Sequence, residues 1–268
     1  MVSDTIARLR IFWLEMPLRR LFRVLRDRGR AIRISLGLRR PLPPKEAQEE
    51  LPVVSIKNLC SPSGTRFREI EENDGNITPV ELGVINAVCA TYKPEKIFEI
   101  GTFDGRTTLN MAVNTDAEIF TLDLPEGQET AFETVAEDIP YLKKPVSHIG
   151  RRFQSAAGDD LPSVNRITQL YGDSATFDYS PWLGAMGLVF VDGSHTYEYV
   201  INDTDAAFRL LRPEGGIILW HDYGEWIGVT KALNELRKKR PELELRHIRG
   251  TSLVVTMTGN KKGNLRPY

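Results

Sequence analysis

Lys96-Ile97-Phe98-Glu99-Ile100-Gly101-Thr102-Phe103-Asp104-Gly105 decides the reading of the fold. Lys96–Ile100 is a short apolar run of strand length, and a helical pattern begins after Gly105. A strand that turns through glycine into a helix opens a β-α-β unit. In a parallel sheet built from such units, ligands bind outside the carboxyl ends of the strands. Gly101 lets the chain turn sharply and lets a ligand approach its backbone, while Gly105 allows close passage at the helix start. The spacing is G-x-x-x-G, not the G-x-G-x-x-G of dinucleotide binders. Two glycines alone are also what a plain strand–helix turn would show.

Upstream of this stretch, Thr78-Pro79-Val80-Glu81 reads as an N-cap, a proline at the first helical position and a glutamate closing a capping box. The helix runs to about Thr91, and Pro94 ends it. Downstream, strand-like runs fall at 118–122, 168–171, 187–191 and 216–220, and helical patterns at 197–211 and 229–239. Strands alternating with helices predict an α/β, Rossmann-like, doubly wound and mostly parallel sheet. The end differs: runs at 243–248 and 252–258, joined through Arg249-Gly250, predict a terminal hairpin. Residues 53–76 carry no readable pattern.

The chain has 268 residues, 41% hydrophobic and 26% charged, which suits one large α/β domain with an appendage. Its net charge of -1 hides an asymmetry. Residues 1–44 hold eleven arginines against Asp4, Glu15 and Asp27, about +8, so the remainder is about -9. Ile6, Leu9, Trp13 and Met16, then after Pro17 Leu18, Leu21, Phe22 and Leu25, make this segment a basic amphipathic helix in two pieces. Such a helix fits an anionic membrane surface. It equally fits a solvated arm, or a helix packed on the body or on a second copy in a homo-oligomer. Prolines and charges make 41–52 a linker. The expected organisation is an arm and linker over 1–52 and a catalytic domain over 53–268.

The acidic body argues against nucleic acid as a partner. Cys60 and Cys89 form no disulfide framework and no metal-type spacing. A cytoplasmic protein is expected, with contact at the inner membrane surface through residues 1–40 as the addition the arm allows. Arginines interrupt every apolar run of the N-terminus, against a secretory signal, and no stretch of roughly 18 apolar residues predicts a membrane span.

Acidic groups end the other strands. Thr121-Leu122-Asp123 places a carboxylate where it can accept both ribose hydroxyls of a nucleoside, or cap the following helix. Gly172-Asp173-Ser174 can meet an adenine edge, or be an Asx turn. Asp192 follows the apolar run 188–191, and His221-Asp222 follows 216–220. Charged groups directly after buried strands are candidates for function, although each alone is commonly a cap or a loop carboxylate.

Taken in order, these motifs resemble the class I S-adenosylmethionine-dependent methyltransferases. FEIGTFDGRTT, VDGSHTYEYV and LLRPEGGIILWHDY are similar to the small-molecule O-methyltransferase branch known as methyltransferase 24, and to catechol-O-methyltransferase-like enzymes. The likeness covers about residues 77–258. It implies a seven-stranded sheet with an antiparallel C-terminal strand. It further implies that Glu99 positions the amino-acid end of the cofactor, that Gly101, Thr102 and Gly105 form the binding turn, that Asp123 holds the ribose, and that Asp173 and Ser174 hold the adenine. Phe103 departs from the commoner pattern, which has glycine there, and leaves the backbone path open.

The same resemblance makes Asp192, His221 and Asp222 the ligands of Mg²⁺ or Mn²⁺ and puts His195 where related enzymes carry a catalytic lysine. An imidazole titrates near ~6.5 and can take a hydroxyl proton. The implied reaction is direct methyl transfer to a small-molecule or glycan hydroxyl held by the cation. Adjacent strand residues face opposite sides, so His221 and Asp222 ligate together only if the chain has already turned. A metal-free enzyme with His195 or His221 as base stays open, as does a non-catalytic S-adenosylmethionine-binding module; the glycine spacing argues against a nicotinamide oxidoreductase. Tyr197, Tyr199, Tyr223 and Trp226 either wall an acceptor pocket or simply pack. Lys143, Lys144, Arg151 and Arg152 form either a basic lid over an anionic acceptor or a solvated loop.

Overall fold

The computed structural model describes residues 48–61, 64–71 and 74–259. The arm read over 1–40, with the membrane and second-copy contacts inferred from it, lies outside the described residues. Among the described residues no helix is long and apolar enough to cross a membrane.

Eight strands form one sheet: β1 (Val53–Val54), β2 (Lys96–Ile100), β3 (Glu118–Asp123), β4 (Ile167–Tyr171), β5 (Leu188–Val191), β6 (Ile217–Trp220), β7 (Arg246–Ile248) and β8 (Val254–Met257). Their spatial order is β1-β7-β8-β6-β5-β2-β3-β4. Every neighbouring pair is parallel except those made by β8, which runs antiparallel to both β6 and β7. The expected parallel sheet, antiparallel last strand and terminal hairpin are therefore present, with one strand more than the seven expected.

The long helices are α1 (Pro79–Tyr92), α2 (Arg106–Val113), α3 (Tyr197–Leu210) and α4 (Ile227–Lys239). Alternation along the strands explains the layers. Ile97, Leu188, Phe190, Ile217 and Leu219 face one side, where α1 and α2 supply Leu82, Ile85, Val88 and Met111. Phe98, Val189, Val191, Ile218 and Trp220 face the other, against Val200, Ala207 and Leu210 of α3 and Val229 and Leu233 of α4. Both faces are covered, so β5 and β6 are apolar throughout rather than alternating, and β2 is apolar but for Lys96 and the buried Glu99. At the start of α1 the capping box forms as read. The Thr78 hydroxyl accepts from the Glu81 amide at 3.3 Å, and Glu81 Oε2 accepts from the Thr78 amide at 3.0 Å.

The unexpected edge strand β1 has only two residues, too few for a periodic signal. It docks through hydrogen bonds from the His247 amide to the Pro52 carbonyl and from the Arg249 amide to the Val54 carbonyl, each 2.9 Å. Tyr223 holds the approach to it. Its buried hydroxyl accepts from the amides of Glu50 at 2.7 Å and Leu51 at 3.0 Å and donates to Asn234 Oδ1 at 2.7 Å. Asn234 in turn donates to the Gln48 carbonyl at 2.8 Å. Tyr223→Phe leaves these amides without their acceptor. It should lower unfolding stability by about 1–3 kcal/mol, read as a reduced urea midpoint; an unchanged midpoint would show that the edge is held by packing alone.

Candidate active site

The chain continues from β2 to β3 on one side and returns to β5 and β6 on the other, so a topological switch point lies between β2 and β5. The ladder runs one residue past each strand. The amides of Gly101, Asp192 and His221 donate to the carbonyls of Leu122, Ile100 and Val191 at 2.8, 2.8 and 3.1 Å. This sets the loop residues side by side along the carboxyl edge. Gly101 has φ +99°, and a Cβ there would lie 2.0 Å from the Asp192 carbonyl oxygen. The neighbouring chain, not only a ligand, requires glycine at this turn. Gly105 caps α2 in the left-handed region, where a Cβ would meet the Phe153 ring at 2.6 Å. It packs against Phe153 and lines neither cavity described below.

Phe103 adopts φ +50°, the conformation that the commoner glycine at this place would favour. Asp123 holds it there: Asp123 Oδ2 accepts from the amides of Thr102 at 3.0 Å and Phe103 at 2.6 Å, and Oδ1 from the Leu124 amide at 2.7 Å. Burial raises the Asp123 carboxyl to about 6 in spite of these three donors. Thr102 lines the larger cavity, its hydroxyl sharing a 2.6 Å hydrogen bond with that of Thr121. Glu99 stands behind the turn, fully buried and outside both cavity walls. Its Oε2 accepts from the hydroxyls of Thr108 at 2.5 Å and Thr121 at 2.6 Å, and its Oε1 has no partner. Glu99 thus braces the turn from below.

Two cavities meet at this edge, sharing Gly101, Asp123, Leu142 and Gly193. The smaller, about 40 Å³, has Ile100, Leu122 and Leu124 in its wall with Asp173, Ser174 and Tyr199. Asp173 does make the Asx turn, Oδ1 accepting from the Ala175 amide at 3.0 Å, while Oδ2 accepts from the Ala131 amide at 2.6 Å. The larger, about 250 Å³, holds Asp192, His195, His221 and Asp222 with Tyr141 and Trp226.

The side chains of His221 and Asp222 do come together. Asp222 has φ +66°, so the chain has left the strand and both side chains reach Asp192. His221 Nδ1 lies 3.0 Å from Asp192 Oδ1 and 3.2 Å from Asp222 Oδ2. His195 Nε2 lies 2.8 Å from Asp222 Oδ2, and its Nδ1 bonds Asp138 Oδ1. Its ring stacks on Trp226 with centroids 3.9 Å apart and planes 18° apart. The other read aromatics differ. Tyr223 is the buried anchor of the edge strand, and the Tyr197 hydroxyl donates to Glu235 at 2.7 Å on the helical surface.

The charges explain the proton affinities. Burial disfavours an imidazolium, yet Asp222 and Asp138 push His195 up to about 9. Burial likewise opposes charge on His221, but Asp222 and Asp192 drive it well above its ordinary value. Burial lifts Asp192, and His221 offsets this only in part. Asp222 is buried too, yet the two imidazoles hold it far below the usual carboxylate range. Burial raises Glu81, and His221, with hydrogen bonds from Ser252 and Thr78, more than compensates, leaving it at about 2.

One ligating atom each from Asp192, His221 and Asp222 lies within 4.8 Å of the others. Two carboxylates and an imidazole suit Mn²⁺, and the carboxylates suit Mg²⁺. His221 turns Nδ1 toward both acids and Nε2 toward Glu81 Oε2, 3.4 Å away. A carboxylate behind the remote nitrogen is the usual support of a metal-bound imidazole. With Glu81 and Asp138, four carboxylates face two imidazoles. The negative excess would persist with both rings protonated. These residues fit a divalent cation.

The sequence did not point to Glu81 or Asp138 as parts of this site. Glu81 read only as a cap; its other oxygen accepts from the Ser252 amide at 2.7 Å and hydroxyl at 2.8 Å, partners remote in sequence. Asp138 sits in a stretch without periodicity. Two of the four basic residues read as a lid or solvated loop have definite partners. Arg152 is held by Asp104 at 2.6 Å, Glu69 at 2.7 Å and Asn76 at 3.2 Å, and Lys144 lies over the Phe103 ring.

Residues 98–223 match the family model described as a methyltransferase domain, methyltransferase 24. No curated protein sequence matches the chain. Among solved structures, the O-methyltransferase NovP is similar over 68% of this chain and 81% of its own, with 16% identity and a TM-score of 0.51. The S-adenosylhomocysteine-bound methyltransferase PaMTH1 of Podospora anserina aligns over 70% of this chain and 81% of its own, with 19% identity and a TM-score of 0.47. At these identities the likeness concerns the fold.

Glu99 offers a test of how the turn is braced. Burial raises its carboxyl from 4.5 to about 8, against the two threonine hydrogen bonds. Between those values the folded chain keeps a proton that the unfolded chain has lost, so this group makes stability fall as pH rises through that window. Glu99→Gln keeps an acceptor for Thr108 and Thr121 but cannot ionise. Urea unfolding should show a smaller loss of stability from pH 5 to pH 8 in the variant than in the wild type. Equal losses would mean that Glu99 is ionised throughout.

Proposed function

From a chain whose residues 98–223 match the methyltransferase 24 family model, we propose an S-adenosylmethionine-dependent O-methyltransferase that uses a divalent cation and acts on an uncharged small-molecule or glycan hydroxyl. One observation carries this reading: Asp192, His195, His221 and Asp222 converge in the larger cavity beside the Gly101 turn. The smaller cavity suits a flat heterocycle, with apolar walls and Asp173 and Ser174 as polar groups. Asp123, shared by both cavities, stands where a ribose would join them.

When bound, S-adenosylmethionine supplies a sulfonium methyl as electrophile, and Mg²⁺ or Mn²⁺ supplies a Lewis acid that lowers the pKa of the acceptor hydroxyl. Asp192, Asp222 and His221 would hold the cation. With Asp222 given to that duty, His195 keeps Asp138 as its carboxylate partner, and its Nε2 is left to take the hydroxyl proton. Tyr141 and Trp226 line the cavity beside the His195 ring. The larger cavity's lining carries Asp74 and Glu225 besides the acids of the site, while the guanidinium of its Arg106 donates to the carbonyls of Ile70 and Ile77. That balance disfavours an anionic acceptor.

A metal-independent variant of the same chemistry draws on a different observation: His221 already sits between Asp192 and Asp222 as their ion-pair partner. Calorimetric titration separates the two. S-adenosylhomocysteine should bind the purified protein with a micromolar-range dissociation constant, and Mg²⁺ or Mn²⁺ should give a separate heat that Asp192→Ala abolishes. A nucleoside signal with no metal heat would favour the metal-independent variant. No binding of S-adenosylhomocysteine under any condition would overturn the function.

A further inference from the structure

Between residues 126 and 148 every side chain is exposed or half-exposed except one. The exception is a charged group: Asp138 has 0% of its surface exposed. Burying a carboxylate is costly unless each oxygen finds donors, so its partners indicate why it is there. Asp138 Oδ2 accepts from the Ser194 hydroxyl at 2.8 Å and the His195 amide at 3.0 Å. Asp138 Oδ1 bonds His195 Nδ1. All three partners belong to the two residues that follow Gly193 at the mouth of the cavities.

The same segment contributes to the walls of both cavities, through Thr130 to the smaller, Tyr141 to the larger and Leu142 to each. Trp226 fixes the plane of the His195 ring by stacking. Stacking leaves the ring free to turn within that plane; the bonds from Nδ1 to Asp138 and from Nε2 to Asp222 remove this freedom, and Asp138 alone does so once Asp222 is given to the cation. It also keeps a proton on Nδ1, because a carboxylate only accepts.

We infer that Asp138 is the positioning residue for His195, holding Nε2 toward the larger cavity, and that His195 is aligned only while the 126–148 segment is closed over both cavities. The role assigned to His195 rests on the proposed function; the bond network does not. Alignment of the base is thereby tied to closure of the cofactor's roof, so an open protein would present an unaligned imidazole.

Asp138→Asn separates positioning from anchoring. The Ser194 hydroxyl and the His195 amide both need an acceptor, so the Asn oxygen takes the Oδ2 place. The amide nitrogen then faces His195 Nδ1 as a donor, and the ring proton must move to Nε2. The experiment uses the full-length chain labelled with ¹⁵N-histidine and saturated with S-adenosylhomocysteine and Mg²⁺. His195 is assigned by its loss in His195→Gln, and His148 and His247 serve as controls. The wild type should carry a proton on Nδ1 of His195, and D138N should carry it on Nε2 alone. Amide exchange over 126–148 should rise at least ~10-fold in Asp138→Ala, where the anchor is gone, and stay within ~3-fold in D138N.

An unprotonated Nδ1 in the wild type, or an unchanged His195 pattern in folded D138N, would overturn the inference. Unchanged exchange in Asp138→Ala would overturn the link to closure. Should D138N fail to fold, the wild-type nitrogen pattern and the Asp138→Ala exchange still decide. A wild type that does not bind S-adenosylhomocysteine would fail the proposed function instead, and the histidine pattern would then be read on the unliganded chain.

Discussion

The turn after β2 and the turn after β5 pass so close that a methyl group on Gly101 would overlap the Asp192 carbonyl. This contact ties the two halves of the site together. The residues that follow Gly101, and Asp192 itself, line the same larger cavity. Because the ladder continues through the amides of Gly101, Asp192 and His221, the strands themselves set the spacing between the Gly101 turn and the acids. A rigid parallel sheet therefore does what flexible loops alone cannot: it holds groups from separate parts of the chain in fixed positions.

Charge is the second constraint. Carboxylates this buried must be paired or surrounded by donors. Asp123 takes three backbone amides, and Glu99 takes two threonine hydroxyls and keeps its proton near neutral pH. Asp192 and Asp222 instead depend on imidazoles. The difference is functional in kind. Amides and hydroxyls are permanent partners that shape a turn, whereas an imidazole can give up its place or its proton. The acids with fixed partners brace the turn after β2, and those with exchangeable partners line the larger cavity.

Much of this was legible in sequence, and the reason is local. A strand buried on both faces must be an apolar run, so β2, β5 and β6 were found almost to the residue, and with them the groups at their carboxyl ends. The capping box at Thr78 and Glu81 is contained within four residues and was equally plain. Features that depend on distant chain were not. The edge strand Val53–Val54 is shorter than any period and exists because β7 and Tyr223 offer it partners. Gly101 was read as room for a ligand, and the structure shows that the neighbouring backbone needs that room as well. His221 and Asp222 could serve one site only if the chain had already turned, and the positive φ of Asp222 supplies that turn.

Glu81 shows why local reading undercounts such sites. One of its oxygens closes the capping box and also faces His221, while the other receives Ser252. The cap accounts fully for a glutamate at this position, so sequence offers no residue left over to explain. Yet the cap also fixes the carboxylate with little rotamer freedom, at the end of a helix packed on the sheet. That is what an outer partner of a metal-bound imidazole requires. A residue whose presence is explained by secondary structure is thus well placed for a second duty, because the first has already removed the conformational freedom that the second would otherwise have to overcome.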